Sequence, residues 1–139
     1  ETKVYSNSAK VDLAKELVHT NILECQQLAY EFLDKNRKAL KSMSKQDVDE
    51  LQGGIDNWVT VDYYAAIVVG FAWQQNIVSI NKIKQLYNSD NFWHRRIALV
   101  ATVSLNQKAR GGTGDAKQTL DICKLAVSDH TDMVVKALS

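Results

Sequence analysis

The sequence has 139 residues, 45% of them apolar and 24% charged, with a net charge of +1. That balance fits one globular domain with a sizeable core and excludes a disordered chain. The longest apolar run, Tyr63 to Trp73, is about half the length a membrane span requires, and no basic leader with an apolar segment and a cleavage site opens the chain. No membrane partner and no secretory signal are therefore expected.

The absence of proline, six glycines and long 3.6-residue periodicities predict helices almost throughout. They are expected near 8–19, 21–39, 44–53, 60–74, 77–88, 92–108, 115–128 and 131 to the end, with no strand. In the second of these segments and the seventh lie Cys25 and Cys123, far apart and beside apolar neighbours. This favours reduced, packed thiols and a cytoplasmic location over a disulfide framework or metal cluster. In the helix from Phe92, the stripe Trp93, Ile97, Val100 and Ser104, flanked by Ala98, Ala101 and Leu105, is expected to pack inward. At about 100° per residue Arg95 falls opposite that stripe and Arg96 at its edge.

Charge is unevenly spread. Between Tyr63 and Arg110 the only acid is Asp90, against Lys82, Lys84, Arg95, Arg96, Lys108 and Arg110, so this stretch carries +5 and the remainder −4. A basic central region can face a polyanion, because phosphate neutralisation supplies much of nucleic-acid affinity. A solvated basic face without a partner has the same appearance in sequence.

A weak repeat runs through the chain. Asp56-Asn57-Trp58 before one helix resembles Asp90-Asn91-Phe92 before another, Asp129-His130 precedes a third, and Asn21 opens a similar helix upstream. Each Asx residue can cap a helix. Each unit is a helix pair too small to bury its own apolar face, so stacking of neighbours is the expected solution. The predicted fold is all-α: an α-solenoid of HEAT-like antiparallel helix pairs, read as one domain over 1–139 that is a fragment of a longer array, truncated at its C-terminus. Aligning the units on their Asx starts puts Gln27, Asp62 and Arg96 at equivalent positions, with Val135 next. In a solenoid such positions line one surface, usually the concave one used for binding; three unrelated helix-flank residues are the alternative.

The string Trp58-Val59-Thr60-Val61-Asp62 followed by an apolar helix, then Ser89-Asp90-Asn91-Phe92-Trp93-His94-Arg95-Arg96-Ile97-Ala98, resembles the core of the DNA alkylation repair enzyme family of HEAT-repeat DNA glycosylases. Asp129 to Leu138 is similar to that family's next repeat. The resemblance covers about Asn21 to Ser139. It implies a tryptophan and an aspartate with three residues between them, paired with an arginine one repeat later, here Trp58, Asp62 and Arg96, with Trp93 as a packed aromatic. It further implies excision of cationic alkylated purines such as 3-methyladenine and 7-methylguanine from double-stranded DNA in base excision repair, without a cofactor or metal, by a monomer. A non-catalytic scaffold or DNA-structure-binding member of the same family is the second reading, since a fold does not fix a function.

The chemistry agrees with those roles. An alkylated purine already carries positive charge and leaves readily, so the catalyst has only to stabilise an oxocarbenium-like sugar and place a water, which one carboxylate can do. Asp62 is the candidate carboxylate; Trp58, one turn earlier, can pack on the lesion's sugar and backbone; Arg96 can clamp a phosphate bidentately. Complementing a helix dipole is the competing role for Asp62. Gln27, Arg95, Lys108 and Arg110 are further candidate DNA contacts. The stretch Lys108 to Gly114 is read as an inter-repeat linker touching DNA, since it lacks the lysine spacing of a phosphate-binding loop. The run Lys35, Arg37, Lys38, Lys41 and Lys45 is read as a solvated helix end.

Overall fold

A computed structural model describes residues 4–139. Its elements are α1 (Asn7–Val18), α2 (Leu23–Lys35), α3 (Arg37–Lys41), α4 (Lys45–Glu50), α5 (Trp58–Tyr63), a π-helical segment (Tyr64–Val69) running on into α6 (Gly70–Gln74), α7 (Ile80–Tyr87), α8 (Phe92–Asn106), α9 (Ala116–Cys123) and α10 (Asp132–Leu138). No strand occurs among the described residues. Short polar side chains start most of the helices by satisfying amides that have no intrahelical partner. Ser6 accepts from the amide of Ala9, Asn57 from that of Thr60, Asn91 from that of Trp93 and Asp115 from that of Gln118.

The Asx rule therefore holds at Asn57 and Asn91 and fails at Asn21 and Asp129. Asn21 sits at φ 57°, as a left-handed turn residue, and Ile22 stands at the helix start. Asp129 bonds the amide of Thr131, which itself precedes α10. The stretch predicted as one helix over 21–39 breaks at Asn36, whose amide side chain bonds the Phe32 carbonyl.

The helices stack in two layers. Lys10, early in α1, reaches Asn36 past the end of α2, while Gln26, early in α2, bonds the Val18 carbonyl at the end of α1, so the pair is antiparallel. The second helices of successive units, α2, then α5 through α6, then α8, then α10, pack side by side as one layer; α1 against α3 and α7 against α9 form the other. This is the solenoid-like, all-α stack the repeat predicts. Its core lies in the seam: Val11, Ala14 and Val18 of α1, Tyr30 and Leu33 of α2, Val61, Tyr64, Ala65 and Val68 of the middle helix, and Ile97, Ala98 and Ala101 of α8 are all buried. Tyr30 and Tyr64 are buried whole because their hydroxyls donate to the Leu51 and Val48 carbonyls at 2.7 Å. In α8 the packed stripe is centred on Ile97, Ala101 and Ser104, with Trp93 and Val100 only half-buried.

The middle helix widens to a π turn directly after Asp62 and Tyr63. The Ser104 hydroxyl of α8 donates to the carbonyl of Ala66 within this segment at 2.6 Å. Gly70 lets α8 come this close, since a Cβ there would lie 2.3 Å from Ser104 Oγ.

Candidate active site

Asp62 is the fifth residue of α5 and Arg96 the fifth of α8. Because the two helices are neighbours in one layer, equal positions along them bring the two side chains together. Arg96 Nε and one terminal nitrogen donate to the two carboxylate oxygens of Asp62, each at 2.8 Å, and the other terminal nitrogen donates to the Met133 carbonyl at 2.7 Å. One guanidinium thus ties α5, α8 and α10. The carboxylate is the more open partner, the Arg96 side chain being 11% exposed and that of Asp62 31%. The carboxylate holds the Arg96 guanidinium above its ordinary range.

Dipole complementation does not account for Asp62. Asn57 caps α5, and both Asp62 oxygens are held by Arg96. The expectation of Arg96 as a free phosphate clamp is corrected by the same contacts, since its fork is spent on a carboxylate of its own chain. Two N–H groups remain, and the role its geometry gives it is to orient Asp62.

Trp58 opens α5, one turn before Asp62, and remains 56% exposed. A large aromatic left this open beside a half-exposed ion pair contributes little to the core. Trp93, by contrast, is half-buried with its ring 4.6 Å from that of Phe92.

Other expected contacts fall elsewhere. Arg95 does not face solvent opposite the packed stripe: Nε pairs with Asp129 at 2.9 Å, and its terminal nitrogens bond the Ser89 and Asp90 carbonyls and the Thr131 hydroxyl. Asp129 also accepts from Tyr87 at 2.9 Å and from the Thr131 amide. The Thr131 amide above all, with Tyr87, Thr131 and Arg95 adding, holds Asp129 down to about 2; burial, then the Asp129 partner, pushes Tyr87 up to about 12. Arg95 is therefore an inter-repeat tie.

Gln27 does share the fifth position, in α2, and is half-buried. The fourth member of the row is Lys136 and not Val135, because α10 starts at Asp132, one residue later than the expected Thr131. Lys108 and Arg110 lie past the far end of α8, whose last residue, Asn106, is about 15 Å along the helix axis from Arg96. Lys108 is exposed, while Arg110 turns back toward Asp34. The glycines after them serve the chain turn: Gly111 and Gly114 have φ of 83° and 85°, and a Cβ on Gly112 would lie 2.6 Å from the Ser104 carbonyl oxygen. Gln74 caps this end by donating to the carbonyls of Ser104 and Arg110.

Sequence reasoning missed the Met133 carbonyl, the π turn and Lys136. No residue pattern announces the first two; the third was reachable by reading Thr131 as the residue before the helix.

A model of the DNA alkylation repair enzyme family matches residues 2–139. The chain belongs to that family. No curated protein and no solved structure matches it. Membership makes the chain a DNA alkylation repair enzyme with DNA as the material acted on. No helix among the described residues is long and apolar enough to cross a membrane.

Proposed function

We propose that this member of the DNA alkylation repair family is a DNA glycosylase that releases cationic alkylated purines, 3-methyladenine and 7-methylguanine, from duplex DNA. The reading is carried by the half-exposed Asp62 carboxylate, forked by Arg96 one turn from the open ring of Trp58. In the reaction the bond between C1′ and the purine nitrogen breaks, its electron pair neutralises the cationic base, and positive charge develops on the sugar. A fixed carboxylate stabilises that charge without reorganising as it appears. A carboxylate has about four acceptor positions, of which Arg96 takes two, so others remain to orient the water that adds to C1′. That water's second proton goes to solvent or to the carboxylate. Trp58 offers an apolar ring to the deoxyribose. No cofactor enters this scheme, and a monomer in the cytoplasm suffices for it.

The test is incubation of the protein with duplex DNA containing 7-methylguanine and measurement of free base. Release supports the reading; tight duplex binding without release supports the scaffold alternative.

A further inference from the structure

Two basic segments that sequence analysis treats separately meet in the fold. Arg37, just after α2, donates to the Ala109 carbonyl at 3.4 Å across 72 residues of chain. Arg110 approaches from the same loop. Both guanidinium groups converge on a single oxygen, Asp34 Oδ1, Arg37 at 3.5 Å and Arg110 at 3.7 Å. These distances exceed those of a good charged hydrogen bond, and the three side chains are 41%, 29% and 36% exposed for Arg37, Arg110 and Asp34. So open and loose a triad adds little to stability. Asp34 also lies in the last turn of α2, where a negative charge opposes the helix dipole. Neither helix formation nor stapling of the repeats explains it.

The location is informative. The triad borders a small hollow floored by Ala66, Ile67, Phe71 and Ser104. Ala66 follows Asp62 by one turn on the middle helix, so the arginines lie over the continuation of the helix that carries the carboxylate. Lys35 and Lys38 are exposed beside Arg37, lining with Lys10 an adjoining cleft of about 430 Å³, and Lys108 is exposed beside Arg110. Asp34 is the one acid lining the hollow and the cleft among the described residues, against six cations in or beside them.

We propose that Arg37 and Arg110 form a clamp for one backbone phosphate of duplex DNA, and that Asp34 occupies the phosphate's place in the free protein. The proposal rests on the proposed function, that of an enzyme acting on duplex DNA at Asp62. Two guanidinium forks aimed at one point match the non-bridging oxygens of a phosphodiester, which can accept from both at shorter range than the single carboxylate oxygen does. On binding, the Asp34 side chain turns to solvent from a position it holds only loosely.

The experiment is fluorescence anisotropy of undamaged duplex DNA with the full chain between 50 and 200 mM salt, alongside thermal unfolding of each variant. Arg37→Ala and Arg110→Ala should each weaken binding several-fold, and together they should lower the slope of log affinity against log salt by about 0.9, the value for one phosphate. Asp34→Asn should tighten binding several-fold. Misfolding cannot produce effects of opposite sign, so the Asn variant keeps the test decisive even where an Ala variant is destabilised. An unchanged slope in the Arg37→Ala, Arg110→Ala double variant overturns the clamp. So does a wild type that ignores duplex DNA. Base release is read separately: excision by wild type with an unchanged double-variant slope removes only the clamp, whereas the expected slopes without any excision remove only the glycosylase.

Discussion

Arg96 grips both oxygens of Asp62 from 34 residues further along the chain, and with its remaining terminal nitrogen it grips the carbonyl of Met133. The direction in which the carboxylate points is thus fixed by the stacking of three consecutive repeats and not by α5 alone.

Arg96 should consequently act through Asp62. Arg96→Ala is expected to cost about 1–3 kcal/mol of stability, because a half-buried carboxylate loses its partner, and to lower the excision rate with little change in KM. Arg96→Lys keeps the charge but cannot fork, so it should recover stability more than rate. Single-turnover release of 7-methylguanine, read beside thermal unfolding, distinguishes this from a phosphate-binding role, in which affinity would fall and the rate at saturation would hold.

Trp58 provides the complementary case. With more than half its surface open, Trp58→Ala should change stability by no more than about 0.5 kcal/mol, yet excision should fall because an apolar contact to the sugar is gone. A drop in melting temperature proportionate to the drop in activity would instead make Trp58 a packing residue.

The fold was legible because its determinants are local. Asn57 and Asn91 cap helices that start at matching points, and the 3.6-residue stripes beneath them set which face is buried. Once two helices start in register and neighbours stack, the meeting of Asp62 and Arg96 follows from counting. The rest depended on tertiary detail. Arg95 differs from Arg96 by one position, and no composition shows that Asp129 waits for it on the next repeat. The π turn after Tyr63 lies against α8, where the Ser104 hydroxyl donates to the Ala66 carbonyl, and Arg37 and Arg110 belong to segments that look like independent surface runs.

The Asp129 cluster makes stability depend on pH at both extremes. Asp129 has its pKa lowered, from 3.8 to about 2, so its contribution is complete above pH 4 and is lost as pH falls through about 2. Tyr87 has its pKa raised, from 10 to about 12, so its contribution is complete below pH 10 and is lost as pH rises through about 12. Asp129→Asn should flatten the acid limb of a melting-temperature profile, and Tyr87→Phe the alkaline limb. An acid limb unaltered by Asp129→Asn would assign it to other carboxylates.

Gly70 tests the coupling of packing to the site. A Cβ there would press on Ser104 Oγ at 2.3 Å and Ser104 Cβ at 2.6 Å, and helix-to-helix contact offers no soft direction. Gly70→Ala should destabilise by about 1–3 kcal/mol through overpacking, despite alanine's better helix propensity. Ser104→Ala in the same chain should return only part of this, since the Cβ clash persists and the Ala66 carbonyl loses its donor. Thermal unfolding of the three variants decides it; an additive double variant would show that the two residues do not press on one another.

The sharpest prediction concerns Asp62 itself. Asp62→Asn keeps the shape of the side chain but removes the charge, and its amide nitrogen must face one prong of the Arg96 fork, so one of the two 2.8 Å bonds is lost. Stability should fall by about 1 kcal/mol, the ordinary net worth of such a bond. Excision should fall by about 10²-fold or more, equivalent to about 3 kcal/mol, because a preorganised charge no longer meets the developing oxocarbenium. Affinity for undamaged duplex should hold or rise, since a negative charge near phosphates has gone and Arg96 is partly released to meet them. The combination matters more than any one value. Impaired release with intact binding and a small stability loss identifies an electrostatic role in the transition state. Release reduced only in proportion to the folded fraction identifies a structural ion pair, and normal release by Asp62→Asn would remove the residue from catalysis altogether. The measurement is single-turnover release of 7-methylguanine at saturating protein, with duplex anisotropy and thermal unfolding on the same preparations.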